Sequence, residues 1–407
     1  ISATTNTFNS VSKPISWPNE IEETYDAIRP LGKGAFGLVW LAKSKQESED
    51  DAYVAVKQIE TRSDKDRAYA KREISILEEL NHPCIIRLVQ AYNPTDPKSQ
   101  SHTIVMSLAD GPDIGRLISL GGALSLPLAR LVSRHLIAAV GYCHVRGVLH
   151  RDLKPQNLVL ARKNGSPETA STVRDFAGDD TLWCKTGDGE SYESMERKWV
   201  AVLVDFGFAR AVGPADLVEV EKTRMVSQRI KKMSALGTHG YIAPEIEGTA
   251  RKQPDASPDA SFTLSDTVAD YGMASEAFSV GMACRTVLTG VPAREAPRDT
   301  CGSSVAEYIS LQKNPILRAV LWIAKSRADG DDKGRKIRYR HLLAMPKDAV
   351  GFIRDLTKTK AAKRMTVRQA QKHKWIRGGE GEPDYELPQG NYPSSAGSPI
   401  SFLNLMS

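Results

Sequence analysis

Cysteine is scarce in this chain. Among 407 residues there are five, Cys84, Cys143, Cys184, Cys284 and Cys301, scattered, odd in number and without a CxxC pair. That excludes a disulfide framework or a zinc cluster and fits a reducing compartment, cytoplasm or nucleus. Also missing is any apolar run near the roughly 20 residues that cross a bilayer, and the polar start lacks the apolar segment of a signal peptide, so no membrane span is expected. The chain opens on Ile1 rather than methionine, which leaves an upstream targeting signal open. There is no block of like charge either: 55 Lys and Arg stand against 49 Asp and Glu, a formal net charge of +6 with the basic residues dispersed. A nucleic-acid platform is not indicated.

What is there reads as an ordinary soluble enzyme, with 41% apolar and 26% charged residues. The length exceeds what one hydrophobic core usually supports, which points to two lobes with a cleft between them. Residues 1–20 are rich in Ser, Thr and Asn without apolar periodicity and read as a flexible tail. From Tyr25 to Ile59, short apolar strands alternate with Gly, Lys and acidic residues, the pattern of antiparallel sheet. A helix is expected from about Ala68 to Leu80, where Ile74, Leu77 and Leu80 recur at helical spacing, and two strands follow at IIRLVQAY and HTIVMSL. Beyond Gly111 the pattern changes to longer helices, beginning with Leu128 to Val145. The small lobe is thus about 21–106 and the large lobe about 107–377. Three polar inserts interrupt this order at 161–198, 213–232 and 328–340, the first expected to be disordered, and residues 378–407 read as a second flexible tail.

Four constellations carry chemistry. Gly32, Gly34 and Gly37 in GKGAFG lie between two apolar strand segments, where glycine lets backbone N–H groups approach polyphosphate oxygens. Lys57 in VAVK sits on an apolar strand where a lysine without an anionic partner is costly to bury, and Glu73 on the next helix is a candidate partner. The segment LHRDLKPQNLVL then offers Asp152, Lys154 and Asn157, and VLVDFGFAR offers Asp205 at the end of an apolar strand. Phosphoryl transfer needs positioned cations and a carboxylate to orient the nucleophile, which these residue types supply.

HRDLKPQN is the point at which the chain resembles the eukaryotic protein kinase family, serine/threonine type. The resemblance extends over roughly Tyr25 to Ile376 and includes GTHGYIAPE and the closing KRMT and HKWI. It implies an α+β, bilobal protein-kinase-like fold with a small antiparallel β lobe and a larger, mainly helical lobe. It further implies ATP and Mg2+ as cofactors and protein substrates phosphorylated on Ser or Thr. By the same resemblance Asp152 is the catalytic base, Lys154 contacts the transferring phosphate, and Asn157 and Asp205 hold magnesium. Leu31, Gly32, Lys33, Gly34, Ala35, Phe36 and Gly37 form the glycine loop over the phosphates. Val39, Ala55 and Val159 enclose adenine, Met106 limits access to the back pocket, Ser107 and Ala109 are hinge hydrogen-bonding positions, and Asp113 meets the ribose.

The resemblance also implies a stack of Leu77, Leu88, His150 and Phe206 linking the lobes, and a Glu245–Arg364 ion pair. Arg151, expected to be buried without a partner, and Arg210 suggest control by a phosphorylated loop, with Ser234 as the matching site and either an upstream kinase or self-phosphorylation as its source. Lys154 and Thr238 point to Ser/Thr specificity. One departure is Glu276, where the family's central helix usually carries aspartate; the extra methylene leaves two outcomes open, a bond to the catalytic loop or a misplaced loop with low activity. The alternatives are a pseudokinase scaffold, opposed by the retention of Lys57, Asp152, Asn157 and Asp205, and a small-molecule phosphotransferase, opposed by the Gly237–Glu245 segment.

Overall fold

The computed structural model describes residues 17–34, 37–45, 53–61, 63–92, 101–163, 180–183, 191–211, 217–218, 229–230, 233–234, 237–246, 268–269, 272–293, 345–378 and 385–390. Five strands, β1 (Tyr25–Gly34), β2 (Gly37–Ser44), β3 (Tyr53–Glu60), β4 (Leu88–Tyr92) and β5 (Ser101–Ser107), form an antiparallel sheet in the order β1-β2-β3-β5-β4. Alternation along the strands divides their side chains between two faces. Ala55, Ile59, Ile104 and Met106 join the main core beside Ile74 and Leu77 of the helix α2 (Asp64–Glu79). Trp40, Val54, Val56 and Val105 face outward and are covered by Trp17, Ile21 and Tyr25.

That cover corrects the expected N-terminal tail. Trp17 is only 3% exposed, and the short helix α1 (Asn19–Thr24) buries Ile21, so chain order begins before residue 21. Helix α2 starts earlier than apolar spacing predicts because Ser63 and Asp66 form a capping box that satisfies two end N–H groups.

The large lobe is built around α4 (Leu126–Val145), buried along most of its length and packed against α6 (Met273–Thr289) and the strand β8 (Trp199–Leu203). Before it, α3 (Ile114–Gly121) ends at Gly122, whose positive φ of 81° glycine adopts without the strain a Cβ would bring. The large lobe closes with α7 (Lys347–Leu356), α8 (Val367–Ala370) and α9 (Lys374–Arg377).

The first insert is shorter and better anchored than its polarity suggests. Strand β7 (Leu158–Arg162) runs into it and pairs antiparallel with β8, from Leu158 opposite Leu203 to Arg162 opposite Trp199. Its last residues form α5 (Tyr192–Lys198), capped by Ser191. Between them, Leu182 and Trp183 are buried, and the Trp183 indole donates to Leu117 O at 3.0 Å. Of the second insert, Leu217–Val218 pairs with Arg229–Ile230, and the third lies outside the described residues. The C-terminal tail is likewise not uniformly free, since Leu387 is buried in the main core.

Candidate active site

Sheet, helix and catalytic loop converge on the cleft between the lobes. Lys57, held on β3 opposite Val39 and Ile104, reaches Glu73 Oε1 at 2.7 Å and Asp205 Oδ1 at 2.9 Å. The Lys57 and Glu73 side chains are 5% and 2% exposed, so a single ammonium is shared between two carboxylates away from water. Burial opposes the charge on Lys57, but Glu73 and Asp205 overcome it and hold the ammonium above the usual lysine range. For Asp205, burial pulls the other way, and Lys57 dominates, keeping its carboxyl below the usual range. Burial pushes Glu73 up against the pull of Lys57. The 2.7 Å contact with a firmly charged ammonium makes carboxylate the form this geometry holds.

Asp152 lies in the loop between β6 (Val148–Leu149) and β7. Lys154 Nζ stands 2.6 Å from its Oδ2, and the Thr238 hydroxyl donates to its Oδ1 at 2.7 Å. Lys154 also donates to the Thr238 oxygen at 2.8 Å, closing a triangle. Asn157 donates through Nδ2 to Asp152 O at 2.7 Å and Oδ2 at 3.0 Å. The loop is further held by Glu276, whose Oε1 accepts the Arg151 backbone N–H at 2.6 Å and whose Oε2 accepts from His144 Nε2 at 2.8 Å. Thus, of the two outcomes left open, the longer side chain at Glu276 bonds the loop backbone. The His144 partnership was invisible to motif reading because 132 positions separate the two residues.

Two residues carry backbone strain here: Arg151 at φ 66° and Asp205 at φ 62°, a region that non-glycine residues rarely occupy. Both sit where a side chain must be turned toward the cleft or its supports. The expectation that Arg151 lacks a partner does not hold, because its Nε donates to Phe208 O at 2.7 Å and the side chain is buried. Arg210, on β9 (Arg210–Ala211), pairs through its backbone with Leu149. Ser234 pairs through its backbone with Val268; its side chain lies outside the described residues, so no contact with either arginine is assigned.

Around the nucleotide slot, β1 and β2 bring Gly34 opposite Gly37, while the side chains of 33–36, including Lys33, Ala35 and Phe36, lie outside the description. A Cβ on Gly37 would lie 1.8 Å from Gln58 O, so the hairpin closes there only on glycine, whereas a Cβ on Gly32 would meet nothing within 4 Å. Leu31, Val39, Ala55, Met106 and Ala109 pack on the main core, with Ala55 directly opposite Met106. Val159, on β7, is bridged through its backbone to Asp113. The Ser107 N–H donates to Arg87 O at 2.9 Å. Asp113 caps α3 through Arg116 N at 2.8 Å, so part of its carboxylate is committed to helix geometry.

The supports also assemble. His150 and Phe206 meet edge to face at 4.8 Å, with Leu77 buried and Leu88 packed in the same core. Glu245 and Arg364 form a two-pronged pair at 2.7 and 2.9 Å, joined by the Ser275 hydroxyl at 2.8 Å.

The donor set suits magnesium. Asp205 is 26% exposed and offers hard carboxylate oxygen, and the Asn157 amide spends its N–H groups on Asp152, turning its carbonyl oxygen the other way. Such ions take one or two protein oxygens and complete their shell with phosphates and water.

Comparison with known proteins agrees with this geometry. The chain is 27% identical to myosin light chain kinase A of Dictyostelium discoideum over 56% of its length and 60% of that protein's. With the probable serine/threonine-protein kinase fhkA of the same organism it shares 25% identity over 92% of this chain and 54% of the relative. With CBL-interacting serine/threonine-protein kinase 19 of Arabidopsis thaliana it shares 36% over 43% and 36%. The chain therefore spans little more than half, or less, of the lengths of these relatives. A family model for the protein kinase domain matches residues 25–376, most of the chain. With that match added to the shared lysine and the Asp152 triangle, the chain belongs to the protein kinase domain family.

Proposed function

We propose that this chain transfers the γ-phosphate of ATP, with magnesium, to serine or threonine hydroxyls of protein substrates. The single observation that carries the reading is the triangle of Asp152, Lys154 and Thr238, with contacts of 2.6 to 2.8 Å. A carboxylate so placed accepts the hydroxyl proton and orients the attacking oxygen, while Lys154 offers charge to the transferring group at the same point. Lys57, kept protonated by two carboxylates, supplies a fixed cation for the phosphates. Magnesium held by Asp205 and Asn157 would neutralise phosphate charge. Arg151 and Asp152 stay in register because Glu276 holds the loop backbone.

Regulation by phosphorylation of Ser234, with Arg151 and Arg210 as the arginines to receive the phosphate, belongs to this reading. A Ser234→Ala variant with unchanged activity would remove that component. The free thiols of Cys84, Cys143 and Cys284, all buried, support a reducing compartment, cytoplasm or nucleus. A peptide-library assay, run with and without phosphatase pretreatment, tests the whole reading. Labelled serine and threonine peptides, with lower yield after phosphatase, are expected. Label confined to tyrosine or to small molecules would overturn it.

A further inference from the structure

Residues 385–390 form no helix or strand, yet contacts along their length hold them. Tyr385 N–H donates to Arg377 O at 2.8 Å, and Arg377 Nη1 donates back to Tyr385 O at 3.1 Å, fixing the segment to the end of α9. The Tyr385 ring lies 3.9 Å from the Arg134 guanidinium, which is also 4.1 Å from the Tyr192 ring on α5. Leu387 is buried in the main core. Pro388 O accepts from His82 Nε2 at 2.9 Å, while His82 Nδ1 accepts from Cys84 N at 3.0 Å, so both ring nitrogens are used. Finally, Gly390 occupies a slot in which a Cβ would lie 2.6 Å from Asn81 O and 2.3 Å from the Tyr142 ring.

The far end of this segment therefore grips residues 81–84, the turn that joins α2 to β4. Helix α2 carries Glu73, and its position decides whether Glu73 reaches Lys57, which Asp205 also holds. The near end is fixed to the last helix of the large lobe. A covalent extension of the large lobe thus crosses to the turn that follows the helix carrying Glu73, adding to the bonds that tie this turn to β8 (Ile86 N–H to Leu203 O, 2.9 Å; Leu203 N–H to Cys84 O, 2.8 Å).

We propose that residues 385–390 are an intramolecular strap: docked, they fix the turn at 81–84 and hold Glu73 on Lys57; released, they let α2 drift and lower turnover. The device has two states, docked and undocked, and anything that competes for the C-terminal segment shifts the balance between them. The turnover effect rests on the kinase reading, whereas the mechanical link does not.

The test is made on the full chain with Gly390→Val, which fills the slot beside Tyr142 without touching the cleft. Backbone hydrogen exchange across residues 64–84 should accelerate roughly 5- to 50-fold, the range of ordinary intramolecular coupling, with a matching fall in kcat. Combined with Glu73→Gln, Gly390→Val should add little further loss, because both act through the same contact. Should Gly390→Val not fold, Leu387→Ser removes the strap's buried anchor and is read by the same exchange. Faster exchange confined to 385–390, with residues 64–84 unchanged, would overturn the strap. Faster exchange across 64–84 in a chain that transfers no phosphate would sustain the strap and overturn the kinase reading instead.

Discussion

At Glu276 one methylene group separates this chain from its family's habit, and the buried surroundings show what the longer side chain does. It spans from the Arg151 backbone to His144, so a single carboxylate satisfies two donors from segments that meet only in the folded chain. Glu276→Ala leaves both donors buried without an acceptor, each at a cost of about 1–3 kcal/mol. Urea denaturation should show that loss, and Glu276→Gln, which keeps an acceptor oxygen, should recover about half of it. The residues of the catalytic loop were legible in the sequence because phosphoryl transfer prescribes their types and they sit close together. His144 was not, since a histidine on an apolar helix face looks like filler until its partner arrives from another helix. Arg151 shows the converse: motif reading flagged its burial but could not see the Phe208 carbonyl that receives it.

Among elements, the joints between helices and strands depend on buried polar groups whose partners lie on other elements. His135 on α4 accepts the Ala201 N–H of β8 at 3.0 Å, and burial pushes its pKa down to about 3. The unfolded chain takes up this proton near pH 6.5 and the folded one does not, so stability is full above about pH 6.5 and falls as pH drops. The loss approaches about 1.4 kcal/mol per pH unit until about pH 3. Urea midpoints at a series of pH values check this, and His135→Asn should flatten the slope. The Glu245–Arg364 pair joins the segment after Thr238 to the closing helices, and the Arg364 side chain is fully buried. Glu245→Ala leaves that buried charge with the Lys358, Thr359 and Ala274 carbonyls in place of a carboxylate and should cost about 3 kcal/mol in denaturation experiments. Element type was readable from periodicity, but ends and tails were not. The capping box moved the start of α2 to Asp64, and Trp17 and Leu387 are single apolar residues in polar surroundings, with no period to reveal that they are buried.

Across the whole molecule, a sheet lobe and a helical lobe bring groups from positions 57, 73, 152, 154, 157, 205 and 238 to one cleft. Sequence order alone suggested that gathering, because the motifs follow one another as they do in the family. How each lobe is closed was not legible, since Trp17 covers the sheet, Trp183 bonds Leu117 inside the large lobe and residues 385–390 reach the turn at 81–84, and none of these belongs to a motif. The decisive comparison is transfer of labelled phosphate from ATP to a generic protein by the intact chain and by Asp152→Asn. The intact chain should label serine and threonine, and the variant should fall by roughly 100- to 10,000-fold while still binding nucleotide. Equal labelling by the two proteins, or none by an intact chain that has bound ATP and magnesium, would contradict a catalytic role for Asp152.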